Sequence, residues 1–157
     1  MSEDLIAEAR EGAGDISPED LEQMLEDATA TCSYLQSLTT DDVMKDVRDA
    51  VYDTDIDNPE EIIRRLIGYR YVDEIHEVDR GKYTTYIRFT PTGAKKAGGG
   101  FATRLKFTDR GVNVICRTPQ KRCFEYCFND CVTFQKLTEQ EQLVLMANDC
   151  LVRDSYT

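Results

Sequence analysis

Six cysteines are the residues of this chain best equipped for chemistry, and three of them recur at a fixed interval. Cys123, Cys127 and Cys131 follow one another as C-x3-C-x3-C, with Cys116 before them, Cys150 after, and Cys32 remote. Structural zinc sites draw on C-x2-C knuckles or on paired Cys and His, whereas this chain has no C-x2-C and His76 is its only histidine. On a strand, Cys123 and Cys127 would point the same way about 13 Å apart, too far to share one ion. A thiol nucleophile needs a base to activate it, and again only His76 is on offer. A disulfide is more plausible than a zinc site or a thiol nucleophile. If residues 118–121 form a turn, 117 lies opposite 122 and Cys116 opposite Cys123, at the ~4.5–5.5 Å separation of directly opposed strand residues. Cys116 and Cys123 are therefore the candidate disulfide pair, reduced in a cytosol and open to oxidation in a particle released from the cell. The reading set ahead of a disulfide makes these cysteines small buried apolar residues, as free cysteine often is.

Other motifs imitate known sites and fail at defined positions. Asp53-x-Asp55-x-Asp57 begins like a calcium loop, but Asn58 stands where glycine makes the turn, Pro59 follows, and Arg64 replaces the bidentate glutamate. Asp73-Glu74-Ile75-His76 spells the acidic box of a helicase-type ATPase without the Gly-x4-Gly-Lys-Ser/Thr loop that must accompany it. Tyr83, Tyr86, Phe89, Phe124, Tyr126 and Phe128 suggest a base-stacking sheet but lack the glycine-aromatic spacing of RNA-binding modules. Carboxylate pairs are too abundant to single one out. No catalytic residue, cofactor site or metal site is assigned, and no cofactor is expected.

The elements that position these residues are more legible. Residues 1–15 read as a polar tail. Ser17, Pro18, Glu19 and Asp20 are the cap, first position and acidic first turn of a helix extending to about Ser37. Thr39 or Thr40 caps a second helix with Val43, Met44, Val47, Ala50 and Val51 as its apolar stripe. Asn58, Pro59 and Glu61 open a third, which Gly68 stops.

From Tyr69 the period becomes two. Tyr83, Thr85, Ile87 and Phe89 share one strand face, and Phe101, Thr103, Leu105 and Phe107 share another. Asp109-Arg110-Gly111 and Thr118-Pro119-Gln120-Lys121 are turns, and Thr90 to Gly100, with its Gly98-Gly99-Gly100 run, reads as a flexible loop. A capping box, Thr138 to Glu141, begins the last helix. The expected fold is α+β: acidic N-terminal helices, then an antiparallel sheet of about five to six strands closed by a C-terminal helix. The expected division is an acidic helical segment over 1–57 and an α+β core domain over 58–157.

Charge divides at nearly the same place. Residues 1–61 hold 19 Asp/Glu against 3 Lys/Arg, whereas residues 62–157 hold 16 Lys/Arg against 11 Asp/Glu. With a net charge of −11, the whole chain disfavours nucleic acid as a partner, although residues 64–122 carry 14 cations and 5 carboxylates. The acidic start lacks the basic and apolar regions of a signal peptide, and no run reaches ~18 apolar residues, so synthesis in the cytosol and no transmembrane segment are expected.

The stretch Ile67-Gly-Tyr-Arg-Tyr-Val-Asp-Glu-Ile-His-Glu-Val-Asp-Arg-Gly-Lys-Tyr83, with Phe134-Gln-Lys-Leu-Thr-Glu-Gln-Glu-Gln142 and the strand Gly111 to Cys116 between them, resembles a family of small proteins of nucleocytoplasmic large DNA viruses, of the chlorella-virus and mimivirus kind. The likeness covers roughly residues 62–151 and leaves the acidic front without a counterpart. It implies a viral origin, made in the host cytoplasm and carried in the virion. From that origin the expected role is a non-enzymatic minor capsid or cement protein. Its partners would be the major capsid protein and other minor capsid proteins, with no small-molecule substrate. Two rivals stay open: a protein-binding adaptor in the infected cell, and a DNA-associated replication or packaging factor using residues 64–122. The expected contact surfaces are the acidic helices (Glu19 to Asp27, Asp41 to Asp49) and the loop at Lys95 and Lys96.

Overall fold

A computed structural model describes residues 17–155, so the tail expected over 1–15 lies outside the described residues. Helices α1 (Pro18–Thr31), α2 (Thr40–Asp53), α3 (Pro59–Arg65) and α4 (Glu139–Ser155) accompany strands β1 (Tyr69–Val72), β2 (Tyr83–Thr90), β3 (Gly93–Lys96), β4 (Gly100–Thr108), β5 (Gly111–Arg117), β6 (Cys123–Cys127) and β7 (Cys131–Lys136). The class is α+β, with one antiparallel sheet in the order β1-β7-β2-β4-β5-β6 and β3 also paired to β2. Its seven strands exceed the expected five to six because the presumed loop after Thr90 folds back as β3, pairing Gly93 through Lys96 with β2. No helix among the described residues is long and apolar enough to cross a membrane.

The chain forms two compact units that do not divide between 57 and 58. One comprises the described residues up to Asp42 together with those from Thr138 onward; the other is Val43–Leu137. Composition misplaced the boundary because charge belongs to exposed faces, while the buried stripes of α2 and α4 decide what packs with what.

In the first unit α1 packs against α4. Ser17 caps α1 by accepting from the Asp20 N–H at 3.1 Å. Thr39 and Asp42 form a reciprocal box at the start of α2, and Thr138 and Glu141 form another at the start of α4, as the spacing predicts. Glu141 is buried and also accepts from the Tyr34 hydroxyl at 2.5 Å. That bond, the adjacent carboxylate and above all burial push the Tyr34 phenol upward. On the next turns of α4, Asn148 donates to the carbonyls of Leu35 and Leu38, and Asp149 accepts from Thr40. One helix thereby satisfies the polar backbone between α1 and α2.

In the second unit the sheet has two differently covered faces. Val47, Ala50 and Val51 of α2 and Ile62, Ile63 and Leu66 around α3 bury Ile87 and Phe134 on the outer face. Asn58 opens α3 in the left-handed region (φ 56°) and makes no side-chain cap bond, unlike the reading of it as a capping side chain. The inner face buries Ala102, Val114, Cys116 and Tyr126, with Tyr86, Leu105, Ile75 and Val78 against them. Tyr86 and Tyr126 stack at 3.9 Å, although β2 and β6 are separated by two strands in the sheet. At ~4.8 Å per strand step a flat sheet would hold them about 14 Å apart, so the sheet curls around this core.

Two local features permit the curl. A bulge between Ala102 and Arg104 shifts the inward positions of β4 from Ala102 to Leu105. Gly99 and Gly100 then form a corner too tight for side chains: a Cβ at Gly99 would lie 2.5 Å from the Tyr83 ring, and one at Gly100 2.9 Å from the Phe124 ring and 3.0 Å from the Arg117 carbonyl. Within the glycine run read as a flexible loop, Gly99 and Gly100 are a close-packed corner of the sheet, while Gly98 has open space around it.

Candidate interaction surface

The candidate disulfide is corrected by one residue of register. Thr118 through Lys121 do turn, with the Lys121 N–H donating to the Thr118 carbonyl at 2.9 Å, but Lys121 adopts φ 67° and the ladder closes through Thr118 N–H to the Arg122 carbonyl at 2.8 Å. The extra loop residue pairs Arg117 with Cys123 and Cys116 with Phe124. Opposed residues share a face and neighbours alternate, so Cys116 is buried inward while Cys123 is exposed outward. All six cysteines are free thiols. Burial pushes the Cys116 thiol up to about 12 and, with the Asp130 and Cys127 charges adding, that of Cys131 up to about 11. At neutral pH both are thiols, poorly suited to attack or to holding a metal.

The other imitated motifs take ordinary positions. Asp53, Asp55 and Asp57 are exposed along the turn between α2 and α3. His76 lies on a short 3-10 turn, mostly exposed, 3.2 Å from Glu74. Lys95 and Lys96 do not project on a loop: they lie on β3, where Lys95 pairs with Arg88 and Lys96 with Ile87. Burial, followed by the nearby Arg65 charge, lowers the pKa of Lys96. Among the described residues no group of three His, Cys, Asp or Glu is placed to hold a metal ion.

A buried polar knot that the sequence reading missed fixes the connection from Asp73 to Lys82. Gln135, fully buried on β7, accepts from the Asp79 N–H and donates to the Asp79 carbonyl and to Thr84. Arg70 donates to the Glu77 carbonyl at 2.9 Å, and Lys82 donates to Asp79. This holds Ile75 and Val78 over the inner core. A glutamine among apolar strand residues is its only sequence trace.

What remains open to solvent is the outer face of β4, β5 and β6. Register places Phe101, Arg117 and Cys123 in one row, Arg104, Ile115 and Glu125 in the next, and Lys106, Asn113 and Cys127 in a third. Phe101 meets Tyr83 edge-on at 5.3 Å and is still 43% exposed. Glu125 accepts from Asn113 at 3.1 Å and lies 4.0 Å from Lys106. Arg104 and Arg117 project from this face without a carboxylate partner among the described residues. At the hairpin tip Phe107 is 79% exposed. Sequence periodicity assigned Phe101 and Phe107 to one strand face; the bulge puts them on opposite faces, and both are exposed.

Family models, curated proteins and solved structures yield no match to this chain. The surface must therefore be read from its own chemistry. Residues 80–122, which include β2 through β5, contain eleven Lys/Arg and one carboxylate, Asp109. The described part of the first unit contains eleven Asp/Glu and one cation, Arg153. The acidic side chains of α1 and of Asp41 to Asp49 are exposed, as contact surfaces require.

Proposed function

We propose that the chain is a non-enzymatic structural protein of a large icosahedral DNA virus, a minor capsid or cement protein that bridges major capsid capsomers. The observation that carries this reading is the separation of charge between two compact units, each with exposed apolar side chains. Leu151 on α4 is 68% exposed in the acidic unit, and Phe107 is also largely exposed in the unit holding the cationic strands. Exposed apolar anchors on units of different net charge suit contact with neighbours of different polarity. The likeness of residues 67–83 and 134–142 to small proteins of large DNA viruses supplies the viral setting, and with it the major and other minor capsid proteins as partners and the virion as location. Work of this kind involves no small-molecule turnover and no nucleic acid.

Quantitative mass spectrometry of purified particles, with cross-linking from surface lysines, tests the proposal. Recovery in fixed ratio to the major capsid protein, cross-linked through Lys106 or Lys136, is the expected result. Recovery only from infected-cell lysate would support the adaptor reading instead.

A further inference from the structure

We infer that the open outer face of β4–β6 is a docking site for the acidic helix α1 of a second copy of this chain, so that copies associate head to tail. The inference does not depend on the capsid reading, because it concerns the purified chain alone.

Two surfaces of opposite charge on different units carry it. On the sheet, Arg104 and Arg117 belong to adjacent strands at diagonal positions, about 7–8 Å apart. They project beside Phe101 and Ile115, an apolar strip on a face that no element among the described residues covers as α2 and α3 cover β2 and β7. Helix α1 has five carboxylates and no cation. Glu19, Glu22 and Glu26 are exposed at i, i+3 and i+7, so like charges face one another on adjacent turns. Such pairs destabilise a helix unless a cationic partner meets them. Glu22 and Glu26 are separated by about 6 Å along the axis, close enough to the arginine spacing for long side chains to match.

The two patches are different surfaces, so the contact is heterologous. The dimer keeps one free helix and one free sheet face, one on each copy, and growth need not stop there. Charge that is local on each unit acts over about one Debye length, so attraction between patches survives the net negative charge of both partners.

Sedimentation equilibrium of the full chain tests this. At about 0.02 M salt the weight-average mass should rise with protein concentration past the dimer value, and at about 0.5 M salt it should return to the monomer. Arg104→Glu/Arg117→Glu and Glu22→Lys/Glu26→Lys should each weaken association at least about tenfold while keeping the wild-type circular dichroism. Mixing the two variants should restore it, because each reversed patch then meets an opposite one. A wild-type chain that stays monomeric at low salt overturns the inference. So does association that both variants retain, or a mixture that does not assemble. A monomer that binds a single-stranded oligonucleotide through Arg104 and Arg117 also overturns it, in favour of a polyanion.

Discussion

Across β1, β7 and β2 the outer face of the sheet sets Tyr71, Phe134 and Ile87 beneath two helices, whereas across β4, β5 and β6 the same face sets Phe101, Arg104, Lys106 and Arg117 in water. The two halves belong to one sheet, joined where Tyr83 and Thr84 of β2 pair with Phe101 and Gly100 of β4. Burial therefore follows side-chain chemistry and not sheet geometry. Apolar helices can cover Ile87 and Phe134 at a gain, but covering Arg104 and Arg117 would strip two cations of water with no carboxylate to receive them. The open half is stable as exposed surface and becomes favourable to bury only against a partner that brings negative charge.

Substitutions that respect this contrast should separate sharply. Phe134→Ala, in the covered half, should cost about 3–5 kcal/mol in urea unfolding, while Phe107→Ser, at the exposed tip, should stay within about 0.5 kcal/mol. Equal costs would erase the distinction. At the corner that lets the sheet curl, Gly100→Ala should cost about 1–3 kcal/mol, because its Cβ would meet the Phe124 ring and the Arg117 backbone. Gly98→Ala has nothing within 4 Å and should be neutral or slightly stabilising. A loose loop would tolerate both alike.

A smaller effect concerns pH. Cys116 has a folded-state pKa raised from 9.0 to about 12 by burial. Its contribution is fully present below pH about 9, and is lost as pH rises through the window up to about 12, where the unfolded chain releases its proton first. Chemical denaturation at several alkaline pH values should show stability falling with pH, less steeply in Cys116→Ala. The buried Tyr126 phenol, also raised chiefly by desolvation, keeps part of the slope. A modest loss is expected for Thr138→Ala, which removes one half of the α4 capping box for about 1 kcal/mol.

Local signals with a short reach were readable in the sequence. Ser17, Thr39 and Thr138 cap the helices that their spacing announces, Gly68 ends the third helical segment with φ 87°, and Asp109–Arg110 makes the tight turn between β4 and β5. What failed depended on a single inserted residue or on distant packing. One extra position after Lys121 separates Cys116 from Cys123, and one bulged position moves Phe101 off the face shared by Leu105. Neither insertion changes the hydrophobic period enough to be seen, because a one-residue slip inverts every later side chain while leaving the alternation intact. The knot of Gln135 with Asp79 joins residues 56 positions apart, beyond any local pattern.

Thiol footprinting puts the two-faced sheet to the most direct test, since Cys116 faces one side of it and Cys123 the other. In dilute native protein, a maleimide should modify Cys123 rapidly and leave Cys116 untouched until the fold is unfolded. Equal native labelling of the two, or a Cys116–Cys123 disulfide in non-reducing peptide mapping, would contradict the register and the open outer face built on it.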